Sequence, residues 1–383
     1  MSDYRISRLE VENFKSLVDF RMDLVKFTCL VGLNGSGKST VLQFVDFLSE
    51  LMRGNLSEWL MERQWSANDL CFWDESSKLI RFLVEITDIE GRHAGIWKGE
   101  FNTLLLKCER EELVFGDTKF KVFDNKFEAS HTQKSYDITM DYEGSLLSKV
   151  RDPFLPEPVK RFRDFFRGSR TLELLSPRLM RQRTKGPSET IGRGGERLSA
   201  YLHDLLPEKR HAIESELKRV YPHFQKLATR ELEPDVRVLE IVEDFQGKQF
   251  KTEARHLNDG LLRILAMITN SVSDAGLLVF DEIENGINPE LVEFVINLLV
   301  ETEQQVIVTT HSPMILNYLD DEVAKSGVIY LYKTNEGFTR SILFFSIPSL
   351  QKKLELMGPG EAFVDTNLLE LFQEIDGLIK GEK

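Results

Sequence analysis

Apolar and polar positions change their period several times along this chain, and each change marks a new element. Phe27-Thr28-Cys29-Leu30-Val31 is a short apolar run that reads as a buried strand. After Lys38 the apolar residues Val41, Leu42, Phe44, Val45, Leu48 and Leu51 recur at helical spacing. Residues 51–80 read as helix followed by loop. Residues 80–145 alternate apolar and polar, with turn signals at Asp88-Ile89-Glu90-Gly91, Phe115-Gly116-Asp117 and Phe123-Asp124-Asn125, which predicts an antiparallel sheet. Residues 150–235 read as mostly helical, broken by a glycine- and arginine-rich loop around 185–197. Asn258 is a good N-cap for a helix made nearly all buried by Leu261, Leu262, Ile264, Leu265, Met267 and Ile268. Leu277-Leu278-Val279-Phe280 and Val306-Ile307-Val308-Thr309-Thr310 read as two more buried strands. The tail predicts a strand over 338–347, a turn at Gly358-Pro359-Gly360 and an acidic helix over 366–379.

Chemistry enters at the joints of this pattern. Between the first buried strand and its helix stands Gly32-Leu33-Asn34-Gly35-Ser36-Gly37-Lys38-Ser39, a complete G-x-x-x-x-G-K-[ST] loop in the context that makes it a site. Its glycines let backbone N–H groups converge on phosphate oxygens, and the helix start adds its dipole. The nucleotide-binding residues are therefore Asn34, Gly35, Ser36, Gly37, Lys38, Ser39 and Thr40, with Lys38 on the β- and γ-phosphates of ATP and the Ser39 hydroxyl on Mg²⁺. The strand Leu277–Phe280 ends in Asp281 and Glu282, placed where open α/β sheets bind ligands. Asp281 is the expected Mg²⁺ ligand, and Glu282 the residue that orients or deprotonates the attacking water. The strand over 306–310 delivers His311, a candidate γ-phosphate sensor whose plainer reading is a structural histidine. Gln64, in Gln64-Trp65-Ser66-Ala67-Asn68-Asp69-Leu70, stands near where ABC-type ATPase heads, which this pattern resembles, carry a Q-loop, and the resemblance implies a further candidate for Mg²⁺ and for communication across a dimer.

These residues carry a resemblance. The chain resembles the ABC-type ATPase heads of the SMC, RecF and OLD-like group, most closely the compact predicted AAA ATPases of bacteria and their mobile elements. Ile6-Ser7-Arg8-Leu9-Glu10-Val11-Glu12-Asn13-Phe14-Lys15-Ser16-Leu17 is similar to that group's first strand and turn, and Leu257-Asn258-Asp259-Gly260-Leu261-Leu262-Arg263 to its signature motif. Asp281-Glu282-Ile283-Glu284-Asn285-Gly286-Ile287-Asn288-Pro289 is similar to its Walker B motif and D-loop, and Thr310-His311-Ser312-Pro313 to its H-loop. The match is specific over about 4–50 and 250–320, weaker over 192–232 and faint elsewhere. It implies an α/β fold: a P-loop NTPase head of ABC type with an inserted antiparallel sheet and a helical lobe. The expected divisions are 1–80 and 236–345 for the two parts of the head, 81–149 for the sheet, 150–235 for a basic helical lobe and 346–383 for a tail. It also implies a homodimer, or a higher oligomer, in which ATP is sandwiched head to tail and Asn258, Asp259 and Gly260 meet the γ-phosphate bound by the other subunit. The chain departs from the group at Asn258, where serine is usual, at Asn288, where this subfamily commonly has histidine, and at Ile283, where it often has proline. Asparagine still donates to a phosphate but is longer, so trans contact or turnover is expected to be weaker.

Composition narrows the functions. The net charge is −13, yet basic residues gather between 149 and 197, with phenylalanines interleaved at Phe154, Phe162, Phe165 and Phe166. On a helix Arg163, Arg167 and Arg170 share one face, an expected footprint for nucleic acid or a partner; the alternative is a solvated amphipathic helix whose phenylalanines pack inward. The three cysteines lie far apart with no C-x-x-C pair, which suggests neither disulfides nor zinc. No charged-then-apolar leader and no uncharged apolar span is present, which points to a cytoplasmic protein without membrane contact. No heptad run reaches coiled-coil length, so a long SMC-style arm is excluded. About seventy residues follow Pro313, too few for the nuclease domain of OLD-type proteins, so any cutting or toxic activity is expected to belong to another chain. The expectation is an ATPase that senses a trigger, with nucleic acid the favoured one, and controls a separate effector, a nuclease or toxin, in anti-phage defence. A RecF-like DNA-binding ATPase of genome maintenance and an ATP-dependent scaffold with little turnover are the alternatives.

Overall fold

The computed structural model describes residues 3–73, 77–130, 134–172 and 175–381. The chain forms two compact units, one of Met1–Ser169, Ala275–Leu277 and Gln304–Lys383, the other of Arg170–Asp274 and Leu278–Glu303. The first unit opens with β1 (Tyr4–Glu12) and β2 (Phe20–Asp23), then β3 (Phe27–Val31), α1 (Lys38–Arg53) and α2 (Leu56–Glu62). Six strands follow: β4 (Leu79–Asp88), β5 (His93–Asn102), β6 (Lys107–Phe115), β7 (Thr118–Phe123), β8 (Lys126–Ala129) and β9 (Lys134–Asp137). They extend β1 and β2 into an antiparallel sheet of order β2-β1-β4-β5-β6-β7-β8-β9. The alternation read over 80–145 is thus a hairpin series, in which the three signalled turns join β4 to β5, β6 to β7 and β7 to β8.

Helix α3 (Glu157–Gly168) covers this sheet. Its Phe162 and Phe166 pack edge-on against Trp97 of β5 at 5.6 and 5.3 Å, and Phe162 meets Phe115 of β6 at 5.4 Å. Such tilted pairs add to the area the rings bury. α1 is buried over most of its length, and Phe44 and Phe47 pack at a tilt against Phe14, whose turn after β1 depends on Asn13 at φ 64. Asn13 fits because asparagine tolerates the left-handed region, and its amide donates to Ser77 O and Leu79 O while its oxygen accepts from Phe72 N.

The second unit contains β10 (Arg170–Leu172), α4 (Pro177–Met180), β11 (Thr184–Lys185), α5 (Leu198–Asp204), α6 (Pro207–Val220), β12 (Phe224–Glu233), β13 (Val236–Phe245), β14 (Lys248–Glu253), α7 (Asp259–Ser271), β15 (Leu277–Phe280) and α8 (Pro289–Glu301). β13 is the centre of a small antiparallel sheet, paired with β11, β12 and β14. β10 pairs in parallel with β15. The stretch expected as one helical lobe over 150–235 is therefore divided: α3 belongs to the first unit and α4–α6 to the second.

The chain re-enters the first unit with β16 (Gln305–Thr309), α9 (Pro313–Asn317), α10 (Asp321–Gly327), β17 (Val328–Lys333), β18 (Thr339–Leu343), α11 (Pro348–Leu354), α12 (Pro359–Val364) and α13 (Leu368–Gly381). β16 and β17 flank β3, both parallel to it, and β18 adds antiparallel to β17. Buried Gln305 ties β1 to this layer, its Oε1 accepting from Ile6 N at 2.8 Å and its Nε2 donating to Ile6 O at 2.7 Å and Val25 O at 3.1 Å. Two tail expectations change. The strand over 338–347 shortens to β18, and Gly358-Pro359-Gly360 is not a turn but the cap and first residues of α12. All three cysteines are buried, and none forms a disulfide. Among the described residues no helix is long and apolar enough to cross a membrane.

Candidate functional site

The glycine loop after β3 is shaped by two close approaches. Gly32 has φ 150, and a Cβ there would lie 2.3 Å from Leu331 O of β17; Gly37 has φ 108, and a Cβ there would lie 2.3 Å from Thr339 Oγ1 of β18. Both positions exclude any side chain. Thr339 is the brace: its Oγ1 donates to Ser36 O at 3.1 Å and contacts Ser16 Oγ at 2.8 Å, while its N–H donates to Ser16 O at 2.8 Å. Lys38, only 6% exposed, donates through Nζ to Gly32 O at 2.9 Å and Leu33 O at 3.2 Å. The ammonium is thus folded back over the loop. No side chain caps α1, whose N-cap is Gly37. The Ser36 hydroxyl is buried with no hydrogen-bond partner. An orphaned donor, a folded-back lysine and an uncapped helix start surround one cradle, and polyphosphate is the chemistry that fits it. Asn34, Gly35 and Ser39 are exposed at its rim, with Thr40 half-buried behind them. A cavity of about 320 Å³ adjoins the loop, lined by Leu33, Asn34, Ser36, Tyr332, Lys333 and Phe372 among others.

His311 lies in the same unit. Beyond β16, Thr310 N donates to Leu30 O of β3 at 3.3 Å, and the exposed His311 follows. α9 then packs so tightly on α12 that a Cβ at Gly360 would sit 2.4 Å from Pro313 O and 2.3 Å from Asn317 Oδ1. The tail therefore fixes where the His311 segment leaves the sheet. Gln64 is exposed in the left-handed region, φ 56, just after α2. Its neighbour Trp65 carries the packing there: Lys15 Nζ sits 3.2 Å and the Arg63 guanidinium 4.9 Å from its ring centre.

The second unit holds the signature and the acidic pair. Asn258 caps α7 through its side-chain oxygen, which accepts from Leu261 N at 2.8 Å. Arg181, from the arginine-rich stretch, reaches the same loop. Its Nη2 donates to Leu257 O at 2.6 Å and Asp259 Oδ1 at 2.5 Å, and its Nε to Leu257 O at 3.3 Å. Gly260 permits contact with the D-loop, because a Cβ there would stand 3.0 Å from Gly286 O. Asp281 is half-buried and Glu282 exposed. Glu282 has φ 46, an unusual conformation for a glutamate, and its carbonyl accepts from Asn285 N at 2.9 Å. Backbone held there costs of order 1 kcal/mol. Burial pulls the Arg263 guanidinium below its ordinary pKa, and the charges of Asp259 and Glu282 oppose that shift.

The basic stripe needs correction. Arg163 is 2% exposed and donates to Val150 O at 2.9 Å and Asp152 Oδ1 at 2.5 Å. Arg167 donates to Met52 O at 2.9 Å and Ser148 O at 2.7 Å. Arg170 is not on the helix at all; α3 ends at Gly168 and Arg170 begins β10. Phe162, Phe165 and Phe166 are buried as expected. The shared cationic face does not exist, because two of its guanidiniums are spent on backbone carbonyls of their own unit. Two contributors escape a sequence reading altogether. Thr339 has no motif around it, and Arg181 is one arginine among many until its partners at Leu257 and Asp259 are seen.

Comparison with known proteins follows the same lines. A family model described as "AAA domain, putative AbiEii toxin, Type IV TA system" matches residues 27–317. Among solved structures, an SMC head bound to the C-terminal winged-helix domain of ScpA aligns with TM-score 0.57 and 16% identity, over 92% of this chain and 99% of that one. An SMC head domain with an extended coiled coil, from Pyrococcus furiosus and bound to the C-terminal domain of ScpA, aligns with TM-score 0.50 and 13% identity, over 92% and 100%. At such identities the likeness establishes the SMC-head fold. No curated protein matches the chain.

Proposed function

The chain belongs to this AAA-domain family, and on that premise we propose that it is an ATP-hydrolysing head that closes on a second copy of itself and thereby controls a partner protein. The observation that carries the reading is the glycine loop, where the buried, unpartnered Ser36 hydroxyl, the folded-back Lys38 and the uncapped start of α1 make a phosphate cradle with no other evident use. Lys38 releases its two carbonyls to neutralise the β- and γ-phosphates. Ser39 and Asp281 are the residues that would hold Mg²⁺, with Gln64 a further candidate; the ion supplies charge neutralisation on the transferred phosphate. Glu282, turned outward by its left-handed backbone, orients the water and accepts its proton. His311, fixed through Thr310 to the end of β3, senses the γ-phosphate. Asn258, Asp259 and Gly260 face the nucleotide of the other copy.

The partner we propose is a protein effector, a nuclease or toxin, and a mobile-element or phage-defence setting draws support from the family's description, which sets the AAA domain itself in a toxin–antitoxin system. Nucleic acid as trigger loses the support it drew from Arg163 and Arg167. A slow-turnover scaffold keeps one supporting observation, the cap in which Asn258 already spends its side-chain oxygen. The test is Glu282→Gln with ATP and Mg²⁺. Turnover should fall by about 10³-fold while ATP binding persists, and light scattering should report a shift to dimer, because nucleotide shared between two copies stabilises only the closed state. A monomer under saturating ATP would overturn the dimer reading, and normal phosphate release would remove Glu282 from its role.

A further inference from the structure

We propose that Arg181 is a positioning residue for the signature segment: it sets the start of α7 that is offered to the other subunit's nucleotide. This rests on the head-to-tail reading above. Three donations from one guanidinium grip the turn before α7 from both sides of Asn258, at Leu257 O and at the Asp259 carboxylate. A planar guanidinium fixes orientation as well as distance, which a lysine ammonium does not.

The base of the clamp is also anchored. Arg181 ends α4, and its own N–H donates to Pro177 O at 3.1 Å. Ser176 N, at the start of that helix, donates to Gly194 O at 3.0 Å. Met180 is buried against Gly195, where a Cβ would fall 2.4 Å from Met180 Cγ and φ is 86, so only glycine lets the loop close over the helix. One strand further on, β11 pairs Thr184 and Lys185 with Arg237 and Val236 of the central β13. The glycine- and arginine-rich loop thus acquires a purpose: it holds α4 rigid so that Arg181 can hold the signature. Side chains that act from a rigid support determine geometry to fractions of an ångström, and misplacement by about 1 Å costs about 10²-fold in rate.

The consequence is a separation of cis from trans. Arg181→Ala should leave the affinity of the single chain for ATP unchanged, because the P-loop lies elsewhere in the sequence and carries its own brace at Thr339. Turnover should fall about 10²-fold, and the dimer trapped by Glu282→Gln should need more protein to form when Arg181→Ala is added. Arg181→Lys, which keeps a charge beside Asp259 but loses the fork, should recover part of the turnover.

Complementation decides the matter. Lys38→Ala chains should be inactive alone and Arg181→Ala chains about 10²-fold slow, but mixed together they should form one composite site with an intact P-loop and an intact signature. Phosphate release should return in the mixture. The control mixes Lys38→Ala with Gly260→Asp, which wedges the signature against the D-loop. Recovery in the control but not with Arg181→Ala overturns the role given to Arg181, as does an unchanged rate in Arg181→Ala alone. Silence in both mixtures overturns the head-to-tail reading itself. Melting curves on each variant guard against simple misfolding, and an Arg181→Lys variant that turns over as fast as the unsubstituted chain would count against the fork.

Discussion

The P-loop and the signature are both helix starts, and they prepare for an anion in opposite ways. α1 begins on Gly37 with no side-chain cap, with Ser36 Oγ left unpartnered nearby. α7 begins on Asn258, whose side chain already accepts from Leu261 N, with Arg181 gripping the residues on either side. The first end is left wanting a ligand, and its strain is carried by Gly32 and Gly37 against Leu331 and Thr339. The second is satisfied before any ligand arrives. A preorganised but unsatisfied cradle binds its ligand without help, whereas a self-capped helix start adds little until a second copy brings it a phosphate. On the head-to-tail reading proposed above, the difference gives affinity to one unit and assembly to the other.

The largest effect should come from attacking the unsatisfied end. Lys38→Ala removes the only lysine inside the motif and should lower ATP affinity by at least about 10²-fold, read by calorimetry or a fluorescent nucleotide. Gly260→Asp should leave that affinity within about twofold while abolishing turnover, since it alters only the satisfied end. If Gly260→Asp weakened ATP binding by the isolated chain as much as Lys38→Ala does, the division of labour would be lost.

Next comes the brace. Gly37→Ala places a methyl group against Thr339 and asks alanine to hold φ 108. The clash and the strained backbone together should cost about 3 kcal/mol in unfolding free energy or be relieved by shifting the loop, and ATP affinity should fall in either case. Gly35→Ala, where a Cβ meets nothing, is the matched control: it suffers only the backbone penalty at φ 77. Equal losses for the two would mean that the contact with Thr339 is not what fixes the loop.

How much of this could be read beforehand depends on how far apart in sequence the cooperating residues lie. The P-loop, its strand and its helix are contiguous, so glycine, lysine and apolar spacing specify them together. The hairpin series over 80–145 is equally local. Gly358-Pro359-Gly360 misled because Gly-Pro suits both a turn and the cap and first turn of a helix, and only the packing of Gly360 on Pro313 and Asn317 selects α12. The arginines misled for another reason. Charge counting cannot tell a guanidinium facing solvent from one bonded to carbonyls, and Arg163, Arg167 and Arg181 are all of the second kind. Arg163→Met should accordingly destabilise the first unit by about 2 kcal/mol in denaturant unfolding, chiefly because Val150 O loses its buried donor, since both acidic partners are solvent-screened. Nucleic-acid affinity, whatever its value, should not change beyond that loss of folded protein.

The smallest effect is the most discriminating. Asn258→Ser restores the residue usual at this position of the resembling group. Serine and asparagine are comparable N-caps, so the unfolding free energy should move by no more than about 0.5 kcal/mol. The two differ in what the cap leaves over. Asparagine accepts from Leu261 N through its side-chain oxygen and carries an amide group that serine lacks, which on the head-to-tail reading would crowd an incoming phosphate. Serine caps with a short hydroxyl that lets the phosphate approach the backbone N–H groups directly. Turnover should therefore rise a few-fold, and the protein concentration at which ATP drives association should fall, while ATP affinity of the single chain stays the same. A rise in turnover without easier association would place the limitation in chemistry rather than in assembly. No change in either would mean that the two helix starts differ only through their backbones, and that the side chain at 258 is a cap and nothing more.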